Sequence, residues 1–280
     1  MHLKNKITIV IPTLNRPISL SKSLDYYSKL PFTVKYFDGS KIKNKKFKNL
    51  PPHIKYFHLP NLSFFSRIKK SLSTISTPYV ILGCDDEFYT LGGLISCFNC
   101  LEKNKKYISS IGQCVKFYTK TNKIITYLGY EKNLFNSVKS SKSEDRVKEH
   151  LQEYAPKYIY SLSRAIFWKK AFTNMLNLNL PVFAIGELVF EISMAFQGKI
   201  KILRKLFWFR NYDNSPHYNT EAYLNPENKI TTWWNEKKKK KERNFFIYRF
   251  SKLLNSKNKK KTSKLIWDVI NAYCNNKEVI

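Results

Sequence analysis

Apolar and polar positions alternate in blocks along the first third of the chain, and the blocks predict a regular order of elements. Residues 7–11 form a β-branched run that is typical of a strand buried on both faces, and Pro12 ends it. Further strands are predicted at 33–37, 55–59 and 79–82, and helices at 19–30 and around 64–75. This order predicts a mostly parallel sheet covered by helices, in which ligands bind beyond the carboxyl ends of the strands.

The second half of the chain is more irregular. The pattern predicts a hairpin over 112–128 that turns at 121–122, a polar loop at 137–147, and a helix at 147–154. A helix that ends at Gly198 and a strand over 201–210 follow. We therefore predict one α/β domain over residues 1–235 and a basic helical extension over 236–280.

The extension contains a candidate amphipathic helix. Five of its residues lie at helical spacing: Phe246, Arg249, Phe250, Leu253 and Leu254. Such a helix packs either on its own protein or on an anionic membrane surface, and the pattern alone leaves both open.

Composition narrows the function classes. The chain has 280 residues, of which 43% are hydrophobic and 15% aromatic, so it is expected to fold around a real core. Its 50 Lys and Arg against 20 Asp and Glu give a formal net charge of +30. That excess favours an anionic partner, such as nucleic acid, a membrane surface or phosphorylated molecules, or reflects a bias toward Lys, Asn and Ile.

The cysteines and the N-terminus predict a cytoplasmic protein. Five cysteines are present, and only Cys97 and Cys100 form a C-x-x-C pair, without the second pair or the histidines that a zinc site needs. Free thiols in a reducing compartment explain them. The N-terminal apolar run is too short for a signal-peptide core or a membrane span.

Three consecutive acids stand out in this cationic chain. Asp85, Asp86 and Glu87 directly follow the predicted strand in TPYVILGCDDEF. Neighbouring carboxylates repel one another unless a cation screens them, and Mg²⁺ or Mn²⁺ bound to a diphosphate would do so. Alternatively, the acids cap a helix that begins near Tyr89 or Thr90.

Three segments in order, ITIVIPTLNRP, DGS and TPYVILGCDDEF, resemble the GT-A-type glycosyltransferases, in particular the family-2-like enzymes. The resemblance is clearest over residues 7–95 and continues more weakly to about residue 217. It implies a Rossmann-like GT-A fold, a nucleotide-sugar donor, a Mn²⁺ or Mg²⁺ cofactor and a glycan or lipid-linked acceptor, in the synthesis of a cell-surface polysaccharide.

The resemblance also implies roles for individual residues. The nucleotide would lie against the loop residues Pro12, Thr13, Asn15 and Arg16, and Asp38 would hold its base or ribose, although DGS is also good turn chemistry. Asp85 would face the ribose or a metal-bound water, and Asp86 and Glu87 are the expected metal ligands. Glu87 departs from the family pattern, in which an Asp is usual.

Further residues follow from later segments. Glu187, in GELVFEI, is the expected catalytic base of an inverting transfer, with Glu191 as its substitute; an ordinary first-turn helix acid is the alternative. Arg210 and His217 are candidates for the donor phosphates or the metal shell. Lys69 and Arg67 could face phosphate or simply be surface charges.

Three other functions compete with a glycosyltransferase at the inner face of a membrane. A nucleotidyltransferase of similar fold is disfavoured because PTLNRP contains no glycine for a phosphate loop. A basic nucleic-acid-binding protein would fit the charge, but the lysines are dispersed while the acids cluster. A catalytically inactive carbohydrate-binding relative is a third possibility.

Overall fold

A computed structural model describes residues 3–119, 123–131, 136–152, 157–213, 229–254 and 256–275 of the chain. The first half follows the predicted order of elements. Its strands are β1 (Ile7–Thr13), β2 (Thr33–Asp38), β3 (Ile54–His58) and β4 (Tyr79–Leu82), and its helices are α1 (Pro17–Tyr27) and α2 (Phe64–Thr74). The four strands are parallel, in the spatial order β3, β2, β1, β4.

The acidic segment does not cap a helix. Glu87–Tyr89 forms a short strand, β5, which lies between the acids and helix α3 (Leu91–Lys103). The N-cap of α3 is Thr90, whose hydroxyl accepts a hydrogen bond from the Gly93 amide at 3.0 Å. The helix-capping alternative for the acids is therefore wrong.

The second half extends the sheet with mixed pairing. It contributes strands β6 (Tyr107–Tyr118), β7 (Ile125–Gly129), β8 (Leu162–Arg164) and β9 (Lys199–Asn211), and helices α4 (Ser143–Leu151), α5 (Ala165–Leu176) and α6 (Ile185–Gln197). Across the described residues the sheet runs β3-β2-β1-β4-β8-β6-β9-β5, with β7 beside β6. The predicted hairpin is thus β6 and β7, and its turn lies outside the described residues.

The polar segment before α4 is not simply a loop. Helix α4 begins within the predicted loop at Ser143, and Arg146 is buried. The Arg146 guanidinium donates to the carbonyl oxygens of Ala195 and Phe196 at 2.8 and 2.7 Å. These bonds attach α4 to the C-terminal end of α6, a contact that local polarity did not predict.

The C-terminal part consists of helices α7 (Ile230–Asn235), α8 (Lys240–Leu253) and α9 (Lys259–Cys274). Phe246, Phe250 and Leu254 are buried in the common core. The face of α8 that carries these three residues therefore packs on its own protein. No helix among the described ranges has the length and apolarity needed to cross a membrane.

Candidate active site

A cavity of about 530 Å³ opens beyond the carboxyl ends of β1 and β4. The parallel pairing of these strands brings the loop after β1 beside the segment after β4, as expected for a ligand site in an open α/β sheet. Its walls also include residues from α2, α6 and β9. The segments after β1 and β4, which are far apart in sequence, therefore meet around one space with residues of α2, α6 and β9.

The loop after β1 is held by the turn after β2. Asn15 has a positive φ of 55°, a conformation that asparagine tolerates better than most residues. Its amide donates to the Ser40 hydroxyl at 2.7 Å. Asp38 accepts from the Ser40 amide at 2.8 Å and from the Tyr56 hydroxyl at 2.6 Å. Both Asp38 oxygens thus fix the turn, and neither Asp38 nor Asn15 lines the cavity.

Arg67, not Lys69, reaches the cavity from α2. Lys69 lies on the exposed side of the helix, whereas Arg67 is buried and lines the cavity. The Arg67 guanidinium donates to the Thr13 carbonyl. A Cβ on Gly39 would come within 2.4 Å of Arg67 Nη1, so glycine at this position leaves room for the guanidinium.

Arg16 turns from the β1 loop onto the first two acids. Its Nη1 lies 2.7 Å from Asp85 Oδ1, and its Nη2 forms an ion pair with Asp86 Oδ2. Thr13 Oγ1 donates to the other Asp85 oxygen at 2.5 Å. Burial raises the pKa of Asp85 to about 6, although Arg16 and Thr13 favour the ionised form.

The third acid faces a second arginine across β5 and β9. Arg210 Nε lies 3.1 Å from Glu87 Oε1, and the same guanidinium donates to the Tyr130 hydroxyl. It also packs over the rings of Tyr160 and Trp208 at 5.3 and 5.7 Å. Burial raises the pKa of Glu87 to about 7, against the opposing charge of Arg210.

The acids fit a divalent cation only together with a ligand. Among the described residues, no three His, Cys, Asp or Glu side chains are grouped so as to hold a metal ion by themselves. However, Mg²⁺ and Mn²⁺ commonly bind through one or two carboxylates plus substrate phosphates. Glu87 Oε2 is a buried oxygen with no hydrogen-bond partner among the described residues. It is better suited to bind the cation than Glu87 Oε1, which pairs with Arg210.

Glu187 stands at the start of α6 and lines the cavity. Burial, with the nearby Glu191 and Glu87 charges, raises its pKa to about 8, whereas Arg210 opposes the shift. A carboxylate with a pKa near neutrality is suited to accept a proton in catalysis.

Glu191 does not qualify as the substitute base. Its side chain is fully buried, with Oε2 at 2.7 Å from His150 Nε2 and Oε1 accepting from the Ile159 amide at 2.8 Å. Both oxygens are engaged inside the protein, and Glu191 does not line the cavity. Because Ile159 and Tyr160 do line it, the His150–Glu191 pair helps to position the cavity wall.

We expect the raised carboxyl pKa values to make the free protein less stable as pH rises. The folded state keeps a proton on Glu187 up to about pH 8, whereas the unfolded state loses it near the ordinary value of 4.5. The free energy of unfolding should therefore fall between about pH 4.5 and 8. Urea unfolding at pH 5 and pH 8 measures this.

The Glu187→Gln variant isolates the contribution of this group. It should be more stable than the wild type at pH 8, with a smaller difference at pH 5, because glutamine carries no charge to bury. If the two proteins lose stability in parallel over this range, the pKa of Glu187 is not raised by the fold.

The cavity gathers most of the predicted site residues. They are Pro12, Thr13, Arg16, Asp85, Asp86, Glu87, Glu187 and Arg210. Asn15, Asp38 and Lys69 lie outside it, and His217 falls outside the described residues. Sequence reasoning missed Lys116, Tyr130 and Tyr160, which also line it. No local signal marks Lys116, because it is one lysine among many.

Comparison with known proteins supports the fold. No family model and no curated protein matches the sequence. Among solved structures, the chain is similar to S. aureus TarS 1–349 in complex with UDP-GlcNAc, with a TM-score of 0.54 and 12% identity over 97% of this chain and 92% of that one. The same region in complex with UDP gives a TM-score of 0.52 at 12% identity, with the same coverage.

A longer TarS chain also matches, with a TM-score of 0.52 and 13% identity over 97% of this chain. The protein spans 53% of that longer chain, or about half its length. Because these sequence identities are low, the structural similarity establishes the architecture alone. The predicted GT-A-type fold, with its sheet flanked by helices, is confirmed.

Proposed function

We propose that this protein is a glycosyltransferase that moves a sugar from a nucleotide donor to a hydroxyl of an acceptor. The observation that carries the proposal is the meeting of Arg16, Arg210, the three acids and Glu187 around one cavity at the carboxyl ends of the sheet. The fold that the chain shares with TarS, which binds UDP-GlcNAc and UDP, supports a uridine nucleotide donor.

Donor binding would use the cations and the β1 loop. Pro12 and Thr13 form one wall, and Arg67 lies behind them. The Arg16 and Arg210 guanidinium groups line the cavity, and such groups bind phosphate oxygens through charge-assisted hydrogen bonds. Arg16 would exchange part of its pairing with Asp86 for a donor phosphate.

We further propose that Asp86 and Glu87 hold Mn²⁺ or Mg²⁺ when the donor is bound, and that Asp85 positions Arg16 and Thr13 beside them. The cation would supply charge that neutralises the departing nucleoside diphosphate. The orphaned Glu87 Oε2 supports this ligand set. Cell-surface polysaccharide is a fitting product class, because the family resemblance points to it.

In the transfer step, Glu187 takes the proton of the acceptor hydroxyl as the hydroxyl oxygen attacks the anomeric carbon. The bond from that carbon to the donor phosphate breaks, and the nucleoside diphosphate leaves with the bonding electrons. A single displacement of this kind inverts the anomeric configuration. Arg210 lies close enough to affect the pKa of Glu187 and to bind Glu87, so it links the base to the phosphate side of the site.

Isothermal titration with UDP in the presence and absence of Mn²⁺ tests the donor and the metal together. We expect UDP to bind the wild type, and Mn²⁺ to tighten binding at least tenfold. Asp86→Asn should remove the Mn²⁺ effect while leaving metal-free UDP binding in place. Asp25→Asn, at an exposed acid on α1, is the matched control.

Each outcome has a distinct meaning. If UDP, GDP and ADP all fail to bind, the glycosyltransferase proposal is wrong. If UDP binds equally with Mn²⁺ and with a chelator, only the metal proposal fails.

A further inference from the structure

Lys116 on β6 occupies an aromatic cage at the cavity. Its ammonium nitrogen lies 4.8 Å from the ring centroid of Tyr212, 5.4 Å from that of Tyr130 and 5.5 Å from that of Tyr127. All three distances are within the range of a cation–π interaction. Lys116, Tyr130 and Tyr212 line the cavity, so the cage fixes a cation at the wall of the candidate site.

This cation has no carboxylate partner in the part of the chain that the structure describes. The ion pairs of the acidic cluster engage Arg16 and Arg210, and none of those observed includes Lys116. Burial and the neighbouring Arg210 charge lower the pKa of the Lys116 ammonium, whereas Cys114 and the Glu131 carboxylate, which forms no observed ion pair with Lys116, oppose the shift. A half-buried ammonium next to a guanidinium gains stability when an anion joins it, so this wall of the cavity favours an anionic ligand.

Strand register places this cation apart from the acids. Glu87 is paired with Arg210 between β5 and β9, and Arg210 is paired with Lys116 between β9 and β6. Two strand spacings, about 10 Å of backbone, therefore separate Glu87 from Lys116. Arg16 and Arg210 are proposed to hold the donor diphosphate beside the acids, and Lys116 lies beyond Arg210 from Glu87, where it is available to a second anionic group.

We propose that Lys116 and its tyrosine cage bind an anionic group, a phosphate or a carboxylate, on the acceptor. This site depends on the proposed sugar transfer, and it implies that the acceptor is an anionic molecule. Glu187 lines the same cavity, so an acceptor held through its anion on Lys116 can present a hydroxyl to Glu187. The formal charge of +30 favours the approach of such an acceptor.

The experiment titrates the full-length protein with inorganic phosphate, and separately with acetate, while the donor site is saturated with UDP. We expect a Lys116→Gln variant to bind the preferred anion about tenfold more weakly than the wild type, because a charge-assisted hydrogen bond is lost. Lys116→Arg should restore most of the affinity. The anion that the wild type binds with the higher affinity, phosphate or acetate, is the preferred oxyanion.

Lys205→Gln is the matched control, because Lys205 is an exposed lysine on β9 outside the cavity. It should leave the affinity for both anions at the wild-type value. Equal anion affinities in the wild type and Lys116→Gln would overturn the inference. So would loss of UDP affinity in Lys116→Gln with anion affinity retained, because Lys116 would then serve the donor.

Failure of the proposed donor binding can be distinguished from failure of the proposed anion site on Lys116. If the wild type does not bind UDP at all, the same titration without UDP still compares Lys116→Gln with the wild type. A tenfold loss there supports the anion site, and no loss contradicts it.

Discussion

Replacing Glu187 with glutamine is expected to lower the rate of sugar transfer by about two to four orders of magnitude. Glutamine keeps the shape of the side chain but cannot take a proton from the acceptor hydroxyl. The affinity for UDP should change little, because the acidic cluster and the arginines are left in place. A transfer assay at saturating donor, paired with UDP titration, separates the two effects.

The pH dependence of the wild-type transfer rate is a second test of Glu187. With the pKa of Glu187 raised to about 8, the fraction of deprotonated base grows with pH, so the transfer rate should rise toward pH 8 and then level off. The bound cation would move this limb to lower pH, because positive charge favours the carboxylate, whereas the negative charge of the donor diphosphate would act in the opposite direction.

Asp145→Asn is the control for this experiment. Asp145 is also a first-turn helix acid, on α4, but it is exposed and lies outside the cavity. It should retain the wild-type rate. If Glu187→Gln keeps more than a tenth of the activity, Glu187 is an ordinary helix acid and another group is the base.

The second large effect concerns the Glu87–Arg210 pair and protein stability. Arg210→Met is expected to lower the free energy of unfolding at pH 8 by about 3 kcal/mol, because it leaves a buried carboxylate without its partner. The Glu87 and Arg210 side chains are only 6% and 23% exposed. Urea unfolding of the wild type, both single variants and the Glu87→Gln/Arg210→Met double variant measures the coupling between them.

The double variant should recover much of the stability that Arg210→Met loses, because the uncompensated charge is then absent. At pH 5, below the pKa of about 7 for Glu87, the carboxyl is protonated and the cost of Arg210→Met should shrink. Tyr130→Phe removes the hydroxyl that Arg210 contacts while keeping the ion pair. It controls for that hydrogen bond.

Lys264→Met provides the surface comparison. Lys264 forms an ion pair with Asp268 at 2.8 Å, but its side chain is 76% exposed. Its loss should cost less than about 1 kcal/mol. A similar small cost for Arg210→Met, with no pH dependence, would show that the Glu87–Arg210 pair is solvated in solution.

Much of the first half of the fold could be predicted from local pattern. The strands at residues 33–38 and 79–82 and helix α2, whose N-cap is Ser63, follow from apolar residues and their periodicity. These signals are local because the residues of each strand or helix are contiguous in the sequence. The second half was harder, because its β6–β9 pairing joins segments about 90 residues apart and includes shifts in register.

In the candidate site, too, some residues could be predicted from local sequence and others could not. Position after a strand was enough to predict that Thr13, Arg16 and the acids meet, because parallel strands end at one edge. Helix α2 shows where position was not enough. Arg67 and Lys69 are two residues apart and chemically alike, but a helix turns them to different faces, and only Arg67 enters the cavity.

By itself, the sequence determined the order of elements, the sheet edge that carries the chemistry and the residue types available there. The tertiary structure decided which charges are neighbours. Arg16 pairs with Asp85 and Asp86, Arg210 pairs with Glu87, and Lys116 is held by tyrosines from outside its own strand. Such pairing depends on strand register and helix rotation over long sequence distances, and no local pattern contains that information.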